Sequence, residues 1–216
     1  MKRTLKSGLA VLFLLVAVAA GSALAASDKD SQKVEVDTGV ITSIIKTDKQ
    51  STVQILGIDQ DGLVLNLSDD AVYQLADGTK LSLDDLQIGM TVEAEHAPMM
   101  TLSLPPQALT YKITVLNKAA FSDVRGTAGQ IDEVRHAEDG TLQLLIKGSG
   151  LAEASPDEVV LRVTDETMVV SPSGHAIHGS NLELGAEVIA FYSQMLTKSL
   201  PPIGTAWKLS VSLQVE

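Results

Sequence analysis

Short apolar runs interrupted by Gly, Asp or Pro recur along the chain from about residue 34 onward. In residues 63–67 every second residue is leucine, which is the two-residue period of a half-buried strand. Because the runs are also rich in β-branched residues, we predict strands in two sets. The first set comprises residues 40–45, 53–58, 63–67, 72–75, 91–95 and 109–116, and the second comprises 130–134, 142–146, 159–163, 167–170, 188–192 and 207–213.

Only residues 83–88, with residues 181–184 as their partner, have the pattern of a helical turn. A glycine follows each of these segments, at Gly89 and Gly185. Glycine reaches the left-handed backbone region without steric cost, so we expect it to end the turn before the next strand.

The two strand sets are copies of one another. A Leu-x-x-Gly-x-x-Val pattern begins at Leu86 and again at Leu182, ninety-six positions later. At the same offset a Met-x-Thr-x-Ser-Leu-Pro-Pro segment begins at Met99 and Met195. Further upstream the offset falls to ninety, where Gly39-x-Ile corresponds to Gly129-x-Ile. The difference indicates an insertion in the second copy, within residues 148–157, which we predict to be a longer hairpin loop.

This duplication divides the chain into segments with predictable roles. We expect a signal peptide at residues 1–25, an N-terminal tail at 26–33, a first β module at 34–116, a linker at 117–123 and a second β module at 124–216. Two copies are too few for a solenoid with one shared core, so each module should have its own. Five to six short strands with one helical turn favour an all-β fold of two tandem OB-like or SH3-like barrels, with small β-sandwiches as the alternative.

The N-terminal segment has the three parts of a secretory signal peptide. Basic residues at Lys2, Arg3 and Lys6 precede an apolar run, and Ala23-Leu24-Ala25 offers a small-residue cleavage site. The apolar run is too short for a membrane-spanning helix. We therefore expect export to the periplasm or the extracellular space, with no transmembrane segment after cleavage, and an uncleaved anchor helix is the alternative.

Composition excludes several classes of partner. The chain has no cysteine, so it has neither disulfides nor thiolate metal sites. Its formal charge is −11, and removal of the signal peptide would lower that charge by three more. Such an acidic protein is a poor partner for nucleic acid or anionic lipid surfaces. Most acidic residues have the context of turns, as at Asp77-Gly78 and Asp139-Gly140.

The best candidate site is the duplicated proline-rich segment, residues 99–107 and 195–203. Two successive prolines fix φ and stiffen the segment in an extended form. A stiff loop could present its hydroxyls to a peptide edge or a glycan. The candidate ligand-binding residues are Thr101, Ser103, Pro105, Pro106 and Gln107, with Thr197, Ser199, Pro201 and Pro202. The alternative is a stiff connection whose hydroxyls bond to backbone and whose Met side chain lies in the core.

Aromatic residues and metal ligands provide weaker candidates. Tyr111 and Trp207 could stack on sugars, but apolar neighbours at every second position favour burial. Histidine and methionine together suit copper(I), which makes a copper or other metal carrier the alternative function. The possible ligands are His96, Met99, Met100, His175 and His178. No ligand set is present in both copies, because Tyr192 stands where the first copy has His96.

No catalytic motif is present. The chain lacks a Gly-x-Ser-x-Gly elbow, a His-Glu-x-x-His helix and a glycine-rich phosphate loop after a strand. Adjacent carboxylates such as Asp84-Asp85 would splay apart rather than share a proton. We therefore expect a protein that is not an enzyme and needs no cofactor.

Three motifs of this chain resemble those of exported OB-like modules in bacterial envelope proteins. They are the Gly-x-Ile start, the Leu-x-x-Gly-x-x-Val turn and the Met-x-Thr-x-Ser-Leu-Pro-Pro segment. The resemblance covers both modules and implies a location and a fold rather than a chemistry. Together these patterns predict an exported binding or scaffolding protein of the bacterial envelope whose partner is an envelope protein, a peptide or a glycan.

Overall fold

The computed structural model describes residues 33–121, 123–178 and 182–212. The predicted signal peptide and nearly all of the predicted tail lie outside the described residues. The strands are β1 (Glu35–Ile45), β2 (Thr52–Leu56), β3 (Gly62–Leu75), β4 (Lys80–Leu81), β5 (Thr91–Met100), β6 (Gln107–Asn117), β7 (Val124–His136), β8 (Leu142–Gly150), β9 (Glu158–Val163), β10 (Met168–Val170), β11 (Glu187–Ser193) and β12 (Ile203–Val211).

The first six strands form a closed barrel with one additional strand. Hydrogen bonds run around the ring in the order β1, β2, β3, β6, β5 and back to β1. Neighbours in the ring are antiparallel except β3 and β6, which are parallel. Strand β4 lies outside the ring, against β3. This is the five-stranded Greek-key arrangement of OB-like barrels.

The second six strands repeat the plan. Their ring is β7, β8, β9, β12, β11, and β9 pairs with β12 in parallel. The additional strand, β10, pairs with β12 further along, also in parallel. The prediction of two tandem barrels is thus confirmed, and the sandwich alternative is wrong because each sheet closes on itself.

Several predicted elements differ in extent. Strand β3 joins two predicted strands, with an irregular stretch between Leu67 and Val72, whereas the second copy keeps them apart as β9 and β10. The predicted helical turn is a single 3-10 turn, Leu83–Asp85, which is capped by Ser82. Gly89 and Gly185 have φ of 91° and 82°, as their predicted role requires. The predicted insertion supplies the β8–β9 connection at residues 151–157, while its first residues extend β8.

Each barrel encloses an apolar cluster of its own. In the first barrel the cluster includes Ile41, Leu65 and Ile113, which are fully buried. In the second it includes Ile131, Leu144 and Leu209, which are equally buried. Removing such side chains from water is the main stabilising term for a chain without disulfides.

A third cluster lies between the barrels. Val40 of the first barrel packs with Ala128, Ile189 and Phe191 of the second, and all four side chains are buried. Lys208 of β12 is buried at the same interface and donates hydrogen bonds to the backbone oxygen of Gly89 and to Oγ1 of Thr91, at 2.6 and 3.0 Å. Both acceptors belong to the first barrel, so the interface combines apolar packing with a buried amine.

Among the described residues, no helix is long and apolar enough to cross a membrane.

Candidate functional site

The duplicated proline-rich segments connect neighbouring strands at one end of each barrel. The first Pro-Pro loop, residues 99–107, joins β5 to β6, and the second Pro-Pro loop, residues 195–203, joins β11 to β12. In each barrel the two joined strands are antiparallel partners in the ring. Each loop is therefore the turn of a hairpin whose stem is part of a closed barrel, which fixes the positions of both loop ends.

Internal hydrogen bonds close the first loop. The amide of Thr101 donates to the backbone oxygen of Gln107 at 3.0 Å, and the amide of Gln107 donates to Oγ1 of Thr101 at 2.9 Å. The hydroxyls of Thr101 and Ser103 lie 2.7 Å apart, and Ser103 also donates to the oxygen of Pro105 at 2.8 Å. The peptide bond between Leu104 and Pro105 is cis.

The second loop has the same network. Thr197 and Ile203 exchange the same pair of bonds, at 3.0 and 2.8 Å. The hydroxyls of Thr197 and Ser199 are 2.6 Å apart, and Ser199 donates to the oxygen of Pro201 at 2.9 Å. The bond between Leu200 and Pro201 is also cis. Two copies of the module thus fold this segment in one way although the side chains between the hydroxyls differ.

The hydroxyls of both loops bond to their own loop, as the alternative interpretation of the segment expected. As ligand-binding groups, these residues and the prolines beside them stay a prediction. The same alternative placed the Met side chain in the core, and this is wrong for Met99 and Met195, which are 84% and 85% exposed. Met100, by contrast, packs against the core of the first barrel.

Sequence reasoning missed the side chains that the loops expose. Leu102, Leu104 and Leu200 are almost fully exposed, and Lys198 is exposed at the position of Leu102 in the second loop. Because large apolar side chains gain by leaving water, several of them on one rigid loop mark a contact surface. A signal was present in the sequence: position 102 and its partner 198 differ in character while the residues on both sides are identical.

Beneath the loops the two copies use different polar pairs at one equivalent place. In the first barrel Nε2 of His96 lies 2.8 Å from Oδ2 of Asp37, and Nδ1 lies 2.9 Å from the oxygen of Ala97. In the second barrel the hydroxyls of Tyr192 and Thr127 lie 2.7 Å apart. Desolvation raises the pKa of Tyr192 above its usual value. Each pair joins neighbouring strands, β1 to β5 or β7 to β11, near the start of the loop.

The proposed copper ligands are not brought together as one set. His96 is fully buried with partners on both ring nitrogens, whereas Met99 is exposed. His175 is exposed in a turn, with Nδ1 3.0 Å from Oγ of Ser173, and His178 is exposed after it. Within the described ranges, no three His, Cys, Asp or Glu side chains are grouped as they would be around a metal ion. Copper binding stays a prediction.

The predicted burial of Tyr111 and Trp207 is only partly correct. Both side chains are half-buried and lie outside the two barrel cores. Each is next to an irregularity in strand pairing, where the alternation of inward and outward side chains shifts by one residue. Trp207 contacts Phe121 near the junction of the barrels, with ring centroids 5.4 Å apart.

Acidic residues in turns have structural roles. Asp77 and Asp139 accept hydrogen bonds from the amides of Thr79 and Thr141, both at 2.9 Å. These bonds hold the pKa of each carboxyl below its usual value, because they stabilise the charged form. The glycines that follow, Gly78 and Gly140, have positive φ, as such turns require.

Comparison with known proteins finds a curated relative of this chain. A protein named "Protease inhibitor" from Brevibacillus choshinensis is 34% identical over 185 residues, which are 85% of this chain. The chain spans 56% of that relative's length. No protein-family model matches the chain.

Two solved structures of a single-stranded DNA binding protein from Thermus aquaticus, one wild type and one a deletion mutant, are also similar. They are 11% and 12% identical to this chain, with TM-scores of 0.25 and 0.24. The matches cover 85% of this chain and 93% and 95% of the two solved chains. At these scores the two structures are too distant to inform its function.

Proposed function

We propose that this chain is an exported, non-enzymatic inhibitor of proteases that presents its Pro-Pro loops to the protease as substrate-like segments. The observation that carries the proposal is the identical hydrogen-bond network of the two loops, which holds exposed side chains on a preset backbone. The relative from Brevibacillus choshinensis, which is named "Protease inhibitor", supports the same proposal.

A preset loop is what an inhibitor of this kind requires. A flexible substrate loses conformational entropy when a protease binds it, and a loop that is already ordered avoids most of that loss. Complexes between proteases and inhibitors show little backbone change on binding and are among the tightest known. Here the barrel strands hold the loop ends, while the Thr and Ser hydroxyls form hydrogen bonds within the loop.

The exposed side chains suit a protease as partner better than a glycan. Leu102, Leu104 and Met99 form an apolar display with no aromatic ring, so sugar stacking has no platform on this loop. Protease specificity pockets, in contrast, take up single large side chains from an extended backbone. An extracellular or periplasmic location, with residues 1–25 removed, would bring the chain into contact with secreted proteases.

The test is inhibition of a panel of proteases by the purified protein: trypsin, chymotrypsin, subtilisin, papain and thermolysin. We expect reversible, stoichiometric inhibition of at least one of them. The double variant Leu102→Asp with Lys198→Asp should abolish it, because a carboxylate at the exposed centre of each loop costs desolvation in a specificity pocket. Both positions are exposed, so the variant should fold.

The matched control is Lys49→Asp, which makes the same lysine-to-aspartate exchange as Lys198→Asp but in the β1–β2 turn, away from both loops. It should inhibit as the unmodified protein does. Absence of inhibition across the panel would contradict the proposal, and so would full inhibition by the double variant, since inhibition would then not depend on the loops.

A further inference from the structure

The two Pro-Pro loops differ at an exposed position between their two hydroxyls. Leu102 lies between the hydroxyls of Thr101 and Ser103, and Lys198 lies between those of Thr197 and Ser199. These hydroxyls bond within their own loop, and the side chain between them is exposed in both copies, fully so for Leu102. The two copies thus share the hydroxyl network and differ in the side chain between the hydroxyls, which is apolar in the first loop and cationic in the second.

The neighbouring exposed leucines are less suitable as the residue that enters a protease pocket. Leu104 and Leu200 each precede a proline, so the nitrogen of the following peptide bond carries a ring carbon instead of hydrogen. A serine protease's histidine must deliver a proton to that nitrogen as it leaves, and the ring carbon crowds the approach. The bonds from Leu102 to Ser103 and from Lys198 to Ser199 have no such obstruction.

Lys198 is available to a partner. None of the salt bridges formed within residues 33–121, 123–178 and 182–212 involves it. A lysine ammonium matches a specificity pocket that carries a carboxylate at its base, as in trypsin, whereas leucine matches an apolar slot, as in chymotrypsin. A cation in an apolar slot would remain unpaired and costly, so each loop also disfavours the other pocket.

We infer that the chain carries two inhibitory sites of different specificity, with Leu102 directed to serine proteases with an apolar pocket and Lys198 to those with an anionic pocket. This inference rests on the proposed function and names its partner class. The surroundings also differ, because the inserted β8–β9 connection, with Glu153 and Ser155, borders a groove of about 550 Å³ beside the second loop.

Slow cleavage of a loop need not end inhibition. Hydrolysis between Lys198 and Ser199 would break the C–N bond, add the OH of water to the carbonyl carbon of Lys198 and its H to the nitrogen of Ser199. The bonds on Thr197 and Ser199, together with the β11–β12 pairing, would keep the two new ends close. Re-formation of the peptide bond by the same protease would then be intramolecular, which strongly favours it.

The experiment measures inhibition constants of the purified protein and its variants, with trypsin and chymotrypsin as probes. Lys198→Ala should weaken trypsin inhibition about 100-fold and leave chymotrypsin inhibition within about twofold, as expected for loss of a central anchor side chain. Leu102→Ala should do the reverse. Lys198→Leu should abolish trypsin inhibition and double the number of chymotrypsin molecules bound per chain.

Matched controls remove the same kind of side chain elsewhere. Lys147→Ala removes an exposed lysine of β8, and Ile45→Ala removes an exposed apolar residue at the end of β1. Neither should change either inhibition constant. Thermal unfolding of every variant verifies that it is folded.

The outcomes separate the two proposals. If the unmodified protein inhibits trypsin but Lys198→Ala does so equally well, the assignment of specificity is wrong while protease inhibition stands. If it inhibits only papain or thermolysin in the panel, the serine-protease assignment is wrong. If it inhibits no protease at all, the proposed function itself fails.

Discussion

Lys112 and Lys208 occupy the same position in the two copies, yet their surroundings are opposite. Lys112 pairs with Glu95 on the surface of the first barrel, at 2.6 Å. In the second barrel Phe191 stands at the position of Glu95, and Lys208 is buried against the first barrel. Burial lowers the pKa of Lys208 to about 8, because an amine removed from water favours its neutral form.

This buried amine predicts an unusual dependence of stability on pH. Between pH 8 and 10.5 the unfolded chain holds the Lys208 proton while the folded chain has released it. The unfolded state therefore binds more protons than the folded state in this window. Raising the pH makes proton binding less favourable and so disfavours the unfolded state, and the free energy of unfolding should rise with pH. The pKa difference sets an upper limit of about 3 kcal/mol on this rise.

The measurement is urea unfolding of the unmodified protein and Lys208→Met from pH 8 to 10.5. The difference between them isolates Lys208 from tyrosines that ionise at the upper end of the range. Lys112→Met, which removes the same side chain at the surface, is the control. A stability difference that stays constant with pH would contradict a lowered pKa at Lys208.

At the level of strands and loops, the order of elements was accessible from the sequence, whereas local irregularities were not. Alternating apolar residues and turn glycines located most strands of both barrels. The pattern did not show the strand β4, nor the shift in alternation that keeps Tyr111 and Trp207 out of the cores. Bulges depend on pairing between distant strands, and a local pattern carries no information about such pairing.

The sequence predicted where the candidate site lies along the chain but not which of its side chains are exposed. The duplicated Thr, Ser and Pro-Pro residues indicated the loops, because a plain connection would not need to keep them. Which side chains the loops expose depends on hydrogen bonds across the loop, such as that from Gln107 to Thr101. Such a bond joins residues six positions apart, and a local sequence pattern does not specify it.

The hydrogen-bond network of the Pro-Pro loops predicts that their threonines keep the loops rigid and do not themselves contact the protease. Thr101→Ala and Thr197→Ala each remove an acceptor for a backbone amide and the contact with the neighbouring serine. If the loops inhibit proteases, each variant should inhibit about tenfold less well at its own loop, because ordering the loop then costs free energy on binding. Its loop should also be cleaved faster, which mass spectrometry of timed digests measures.

The control for this prediction is Thr47→Ala in the β1–β2 turn, where a threonine likewise accepts a backbone amide, that of Gln50. It should alter neither inhibition nor cleavage of the Pro-Pro loops. Unchanged inhibition by both loop variants would show that the hydroxyl network does not contribute to binding.

For the whole molecule, the interface makes the two copies unequal. Barrel two presents Ala128, Ile189 and Phe191, where the equivalent residues of barrel one are Thr38, Glu93 and Glu95. One copy therefore has an apolar face that covers its neighbour, and the other has a polar face open to water. The sequence contained these differences, but which surface of barrel one receives them follows only from three-dimensional packing.

Phe191 predicts how strongly the barrels depend on each other. Phe191→Ala should lower the free energy of unfolding by about 3 kcal/mol, because it empties the centre of the interface. Urea unfolding followed by fluorescence of the single tryptophan, Trp207, measures the loss. Glu95→Ala is the matched control at the equivalent position of barrel one, where a surface ion pair contributes little. A loss below about 1 kcal/mol for Phe191→Ala would contradict a coupled interface.

The burial of Lys208 also makes its amine a chemical probe of the interface between the barrels. An amine-reactive acylating reagent should label the exposed lysines readily, among them Lys198, and label Lys208 only when the barrels separate. The rate of Lys208 acylation would therefore measure how often this interface opens in the native protein. Strand β12 carries both Ile203 at the end of the second loop and Lys208 at the interface. A change in that rate when a protease is added would reveal whether events at the loop are transmitted along the strand to the junction of the barrels.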